Sequence, residues 1–150
     1  HAVYSPFYIS FLERMLEDKA PQTIARPDVK HTYGYTLDNG RALVALAQDE
    51  SAYGEAWHLP VGPPITMEEV VEIFNKHLGT DYKVSFLPPF LRKLLSLFIT
   101  DLREVGKMNY QFETEYVMSC DKFKNHFPEF AVTPYEEGIK EMITSFKSQN

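Results

Sequence analysis

Thr66-Met67-Glu68-Glu69-Val70-Val71-Glu72-Ile73-Phe74-Asn75-Lys76-His77-Leu78-Gly79 is the stretch whose reading decides the fold. Thr66 can accept a hydrogen bond from the Glu69 amide, and the Glu69 carboxylate can reach back, so the stretch opens with a capping box. Met67, Val70, Val71, Phe74 and Leu78 keep the helical period, and Gly79 supplies the stop. Ala56 to Leu59, before it, is a short apolar run closed by Pro60 and reads as a buried strand. Lys83 to Leu87, after it, reads as a second strand, closed by Pro88 and Pro89. Strand, helix and strand with short links make a βαβ unit, so the two strands are expected to be parallel.

Working outward, Pro6 stands where a helix can begin. Tyr8, Phe11, Leu12 and Met15 follow on one helical face, and Pro21 ends the run. Val29 to Tyr33 reads as extended. Arg41 to Gln48 reads as a helix with Thr36 or Asp38 as its N-cap, and Asp49 to Gly54 as a loop. Leu91, Leu94, Leu95, Phe98 and Leu102 mark a further amphipathic helix ending near Gly106. Glu115 to Met118 reads as an edge strand. Thr133-Pro134-Tyr135-Glu136 repeats the capping-box logic with proline at the first helical position, and Ile139, Met142, Ile143 and Phe146 make the last helix one-sided.

The chain of 150 residues suits one domain with a real core. Its 44% hydrophobic and 24% charged content is that of an ordinary globular protein. A net charge of −6 argues against a nucleic-acid or anionic-membrane surface, which needs a basic stripe. One cysteine, Cys120, excludes an internal disulfide and suits a reducing, cytoplasmic setting. The densest apolar run, Leu94 to Ile99, is too short to span a membrane. Glu13, Arg14 and Glu17 interrupt the N-terminal apolar residues as a signal peptide would not.

Classes of chemistry can be weighed residue by residue. His31, His58, His77 and His126 fall in separate elements, and no His-x-x-x-His or Cys-x-x-Cys spacing exists, so no metal site is expected. Ser5 and Ser119 lack nucleophile-elbow glycines. Tyr33 and Tyr35 flank Gly34 before a helix start. They can face a substrate or pack under the helix, and strand-end aromatics more often pack. Tyr110 and Gln111 lie in a polar, aromatic stretch after a helix stop. They can hydrogen-bond a substrate or belong to an ordinary connection. For Trp57 and His58, packing is the expected use.

An ordered set of motifs resembles the extended short-chain dehydrogenase/reductase family of NAD(P)-dependent epimerases, dehydratases and reductases. Ala2-Val3-Tyr4-Ser5-Pro6 is similar to the family's Tyr-Gly-Pro segment, with Ser5 in place of glycine. Tyr35 to Ala47 resembles a helix start in which Asp38, Arg41 and Ala42 hold the matching positions. Gly54 to Pro60 resembles the strand that follows, and Thr66 to Leu78 the next helix. Ser119 to Phe123 resembles the Asp-x-x-Lys stretch, and Thr133 to Gly138 the ending Thr-Pro-Leu-Glu-Glu-Gly.

The resemblance implies the C-terminal, substrate-side half of a Rossmann-like α/β enzyme whose N-terminal dinucleotide-binding lobe is absent from this chain. It places Tyr4 and Pro6 on the cofactor side. Tyr33, Tyr35, Tyr110 and Gln111 are the substrate-side candidates. NAD or NADP belongs to the parent protein, and no cofactor is expected for the chain alone. The partners expected are a small sugar-like or carbonyl substrate and the missing lobe. No catalytic residue is assigned, for two reasons. The seven glycines never form the closely spaced phosphate turn. None of the nine tyrosines has lysine four residues on, the pair that would lower a tyrosine pKa for proton transfer. The alternative is a stand-alone, non-catalytic α/β domain that self-associates. With the lobe removed, an apolar patch around Tyr8, Phe11, Leu12 and Trp57 is expected at the surface.

Overall fold

The structure is a computed structural model that describes residues 4–23, 26–86, 90 and 113–148, with only the backbone at Pro6 and Phe7. The expected helix over 91–102, the apolar run 94–99, Tyr110 and Gln111 lie outside the described residues. In chain order the elements are α1 (Pro6–Leu16), β1 (Gln22–Thr23), α2 (Thr36–Ala47), a 3-10 turn (Glu50–Ala52), α3 (Met67–Leu78), β2 (Ser85–Phe86), α4 (Asp121–His126) and α5 (Tyr135–Lys147). Among the described residues the fold is α/β with a two-stranded parallel sheet.

Helical periodicity was a reliable guide. Tyr8, Phe11 and Leu12 of α1 are fully buried and Met15 nearly so. They meet Val70, Val71 and Phe74 of α3 and Ile139, Met142 and Ile143 of α5 in one core. α1 ends at Leu16, before Pro21, where Asp18 takes φ 57° and Arg14 Nε donates to the Ala20 carbonyl at 2.8 Å. α3 opens with the capping box. The Glu69 amide donates to Thr66 Oγ1 at 3.1 Å, and the Thr66 amide to Glu69 Oε2 at 2.7 Å. Gly79 closes α3 in the left-handed region at φ 71°, where an L side chain would be strained.

The strand expectations need correction. The parallel pair is β1 with β2, Gln22 opposite Ser85 and Thr23 opposite Phe86. Of the expected strand Lys83 to Leu87, Lys83 and Val84 are not strand, Leu87 lies outside the described residues, and the partner is not Ala56 to Leu59. Ala56 to Leu59 forms no strand and pairs with none among the described residues. Ala56 and His58 are exposed, and Trp57 and Leu59 are half-buried. Val29 to Tyr33 and Glu115 to Met118 reduce to single bridges at His31, antiparallel to Ile65 and parallel to Tyr116. The stretch from Asp49 to Gly54 contains the 3-10 turn, with Asp49 capping the Ser51 amide at 2.9 Å.

Two caps also differ. α2 begins behind Tyr35, not Thr36 or Asp38, and Tyr35 makes no side-chain cap bond. α5 has Pro134 as N-cap, so Pro134 is not its first helical residue and Thr133 is not its cap. The Thr133 hydroxyl has a stronger acceptor, the buried Asp38 carboxylate at 2.8 Å. Glu136 turns away from Thr133 to Lys76, 2.5 Å distant. The patch expected at Tyr8, Phe11 and Leu12 is absent because α3 and α5 cover these side chains. The large exposed apolar residues of α2 are instead Leu37, Leu43 and Val44. No described helix is long and apolar enough to cross a membrane.

Candidate functional site

Five tyrosines converge where the start of α1, the 31–35 segment and the start of α5 meet. The Tyr4 ring stacks on Tyr35 at 4.7 Å and lies 4.9 Å from Tyr135 and 5.8 Å from Tyr8. Tyr8 touches Tyr33 at 5.1 Å, and Tyr33 lies over His31 at 6.2 Å. Two glycines permit this approach. A Cβ on Gly138 would stand 2.2 Å from the Tyr4 hydroxyl oxygen, and one on Gly62 would stand 3.0 Å from the Tyr135 ring.

Most hydroxyls are spent within the fold. Tyr4 Oη donates to the Pro134 carbonyl at 3.2 Å, and Tyr35 Oη to Glu141 Oε2 at 2.7 Å. Tyr135 Oη accepts from the Tyr33 amide at 3.3 Å. Tyr8 Oη is buried and has no hydrogen-bond partner among the described residues. Burial pushes Tyr33 and Tyr135 up to about 12, and Tyr4, Tyr8 and Tyr35 are also raised, burial first in each case. A tyrosine base needs the opposite shift. The cluster therefore offers neutral rings and hydroxyls for stacking and hydrogen bonding, not proton abstraction.

The sequence-derived candidates fall as follows. Tyr4, Tyr33 and Tyr35 are brought together in this cluster. Tyr4 and Tyr35 are buried and Tyr33 is half-buried. Pro6 is the first residue of α1. Two cavities adjoin the cluster from beyond Tyr135. One, of about 600 Å³, is lined by Val61, Gly62, Lys124, Phe127, Phe130 and Tyr135 among others. The other, of about 430 Å³, lies between Pro63, Glu72, Lys76 and Tyr135. Tyr135 is common to both, and sequence reasoning did not single it out. Its only signal was a position inside the Thr-Pro-Tyr-Glu start of a helix.

A second polar group joins the 3-10 turn to α4. His126 Nε2 is 2.7 Å from Asp49 Oδ2 and 3.5 Å from Ser51 Oγ, and Ser51 Oγ is 2.6 Å from Asp49 Oδ1. A hydrolytic triad uses one ring nitrogen for serine and the other for aspartate. Here one nitrogen faces both, so no proton relay is set up. The Trp57 ring packs 5.0 Å from His126, under the Lys122 ammonium at 4.3 Å. This is a packing role, as expected for Trp57. His58 is exposed instead, with Nδ1 2.9 Å from the Ser119 carbonyl oxygen. Among the described residues no three His, Cys, Asp or Glu side chains cluster as metal ligands.

No protein-family model and no curated protein sequence matches the chain. Its fold does match solved structures. UDP-glucuronic acid 4-epimerase from Bacillus cereus, in complex with UDP-glucuronic acid and NAD, aligns with a TM-score of 0.69 and 15% identity. That alignment covers 95% of this chain and 40% of the other. The same enzyme in complex with NAD aligns with a TM-score of 0.65 and 14% identity, covering 92% and 38%. A candidate epimerase from Burkholderia cenocepacia J2315 aligns with a TM-score of 0.69 and 16% identity, covering 96% and 41%. The chain thus has the fold of part of these Rossmann-like epimerases and spans about two fifths of their length.

The glycines bear on a dinucleotide. Gly79 and Gly54 serve turns with positive φ, Gly62 and Gly138 admit tyrosine rings, and Gly40 lies within α2. None of these forms a phosphate cradle, so the described residues do not fit the pyrophosphate of a dinucleotide by themselves.

Proposed function

We propose that the chain is the substrate-side portion of an NAD- or NADP-dependent epimerase, dehydratase or reductase of the short-chain dehydrogenase/reductase type. It acts in the cytoplasm on a small sugar-like or carbonyl substrate. It is not catalytic alone, because the nucleotide-binding lobe supplies the dinucleotide site and the acid/base pair. The observation that carries this reading is one-sided coverage: more than nine tenths of this chain aligns with about two fifths of an NAD-bound epimerase. The ordered motif resemblance and the absence of a glycine-rich turn support it.

In this reading the chain shapes the substrate pocket. Tyr4 and Pro6 stand on the cofactor side. Tyr33, Tyr35, Tyr110 and Gln111 stand on the substrate side, where neutral hydroxyls and ring faces suit an uncharged, polyhydroxylated ligand.

Calorimetric titration of NAD and NADP tests the reading. The chain alone is expected to show no micromolar binding, and the same chain joined to its nucleotide-binding lobe is expected to show it. Micromolar binding to the chain alone, or none to the joined polypeptide, overturns the proposal.

A further inference from the structure

His126, the last residue of α4, and Lys122, one turn earlier, share a helix face and meet the same aromatic ring. The Lys122 ammonium sits over the Trp57 indole at 4.3 Å, and the His126 ring is 5.0 Å from it. Each of the two also reaches an acid. Lys122 Nζ is 3.0 Å from Glu55 Oε2, and His126 Nε2 is 2.7 Å from Asp49 Oδ2. Asp49 and Glu55 stand on either side of the 3-10 turn and of Gly54, which turns the chain at φ 76°. α4 therefore grips residues 49–57 at two points.

The two grips differ in chemistry. An ammonium keeps its charge across neutral pH, whereas imidazole changes charge between about pH 5 and 8. Among the described residues, Asp49 is the charged group that meets His126 from the 3-10 turn. From residues 55–57 His126 meets the Trp57 ring, over which Lys122 stands with its partner Glu55. On α4 itself the charged neighbours are Asp121, Lys122 and Lys124. Ser51 Oγ, 2.6 Å from Asp49 Oδ1, steadies the carboxylate. The Asp49 carboxyl lies below its ordinary range through its bonds to Ser51 first and His126 second. A carboxylate that is already ionised in mild acid attracts an imidazolium more than a neutral imidazole.

We propose that the contact of His126 with Asp49 is a pH-operated clasp, closed when His126 is protonated and loosened when it is neutral. A histidine that gains a carboxylate partner on folding contributes stability that is full in acid and fades as pH climbs through its titration. The pieces it joins run on into the lining of the cavity of about 600 Å³. Val61, Gly62 and Pro63 follow residues 49–57, while Lys124 lies in α4 and Phe127 directly after it. The clasp thereby couples proton binding to the hold between two parts of that lining.

Trp57 is the one tryptophan of the chain, so its emission reports on this place alone. Emission is expected to step between about pH 5 and 8 in the parent chain and to stay flat in His126→Gln, which keeps a donor but does not titrate. Acrylamide is expected to quench Trp57 more strongly at the alkaline end in the parent and equally at both ends in His126→Gln. In urea melts, a double-mutant cycle of Asp49→Asn with His126→Gln is expected to show coupling of roughly threefold in the unfolding equilibrium constant at the acid end and none at the alkaline end. Lys122→Gln is expected to leave the pH step in place. A step that survives in His126→Gln, or that vanishes in His58→Gln instead, overturns the proposal. So does equal coupling at both ends, the mark of a hydrogen bond indifferent to charge. If His126→Gln fails to fold, Asp49→Asn decides: quenching that still depends on pH without the carboxylate overturns the clasp.

Discussion

Asp38 and Thr133, ninety-five residues apart, close a two-bond ring. The Thr133 amide donates to Asp38 Oδ2 at 2.7 Å and its hydroxyl to Oδ1 at 2.8 Å. Arg41 Nη2 adds a third donor at 2.6 Å, so the fully buried carboxylate is satisfied from both sides. Asp38→Ala is expected to cost about 1–3 kcal/mol, because it strands the Thr133 amide. In a double-mutant cycle, Asp38 and Thr133 are expected to couple by about 0.5–3 kcal/mol, whereas Thr133 and Glu136 do not couple. Urea melts of the four variants in each cycle decide this. Coupling of Thr133 to Glu136 would restore the capping-box reading.

Gly138→Ala is expected to destabilise the fold by about 1–3 kcal/mol, although alanine is the better helix former. The added carbon would stand 2.2 Å from Tyr4 Oη and 2.8 Å from two of its ring carbons. Tyr4→Phe in the same chain should recover only part of the loss, since the ring carbons remain. Thermal melts showing Gly138→Ala at or above the parent stability would refute the contact.

Tyr8→Phe is expected to be neutral or stabilising. It removes a buried hydroxyl that has no partner among the described residues and leaves the ring contacts to Tyr4, Tyr33 and Phe74 intact. A loss above about 1 kcal/mol in chemical denaturation would mean that the hydroxyl is bonded in solution.

The capping box carries a pH signature. The Thr66 amide bond is the main cause holding the Glu69 carboxyl below its ordinary value of 4.5. A lowered folded pKa gives stability that is present above the unfolded value and is lost as pH falls through the folded one. The stability gap between the parent chain and Glu69→Gln should therefore be full above pH 4.5 and close in more acid solution. Denaturation at a series of pH values measures it. A gap constant down to the most acid point would contradict the bond. Thr66→Ala should separately cost about 1 kcal/mol.

At high pH the tyrosine cluster sets the limit. The folded chain holds Tyr33 and Tyr135 at about 12, above the ordinary 10.0. Stability from a raised pKa is complete below the unfolded value and disappears as pH climbs through the folded one. Unfolding and tyrosinate absorbance should therefore rise together between pH 10 and 12. Smooth ionisation near 10 in a chain that stays folded would show that the cluster is open to water.

Helices were legible because their signal is local. Tyr8, Phe11, Leu12 and Met15 announce one buried face wherever the rest of the chain goes, and Thr66 finds Glu69 three residues away. Strand partners are not local: nothing in Gln22-Thr23 names Ser85-Phe86. Ala56 to Leu59 has a strand's composition, but forming a strand needs a neighbour. Thr133 shows the limit of a cap motif, whose threonine bonds the best acceptor in space rather than the nearest in sequence. The tyrosine cluster was half visible. Tyr33 and Tyr35 stood out, while Tyr135 joined through a contact spanning 102 residues.

The hydroxyl of Tyr4 reaches a carbonyl 130 positions further along the chain. During synthesis, α1 leaves the ribosome long before α5, against which it must close. Its buried face of Tyr8, Phe11, Leu12 and Met15 can meet α3 midway through synthesis, but it is fully covered only when α5 follows. Completion of the core is therefore a late event, slow relative to the formation of its individual helices. The interval before Tyr135 emerges is when a nascent chain most needs a chaperone.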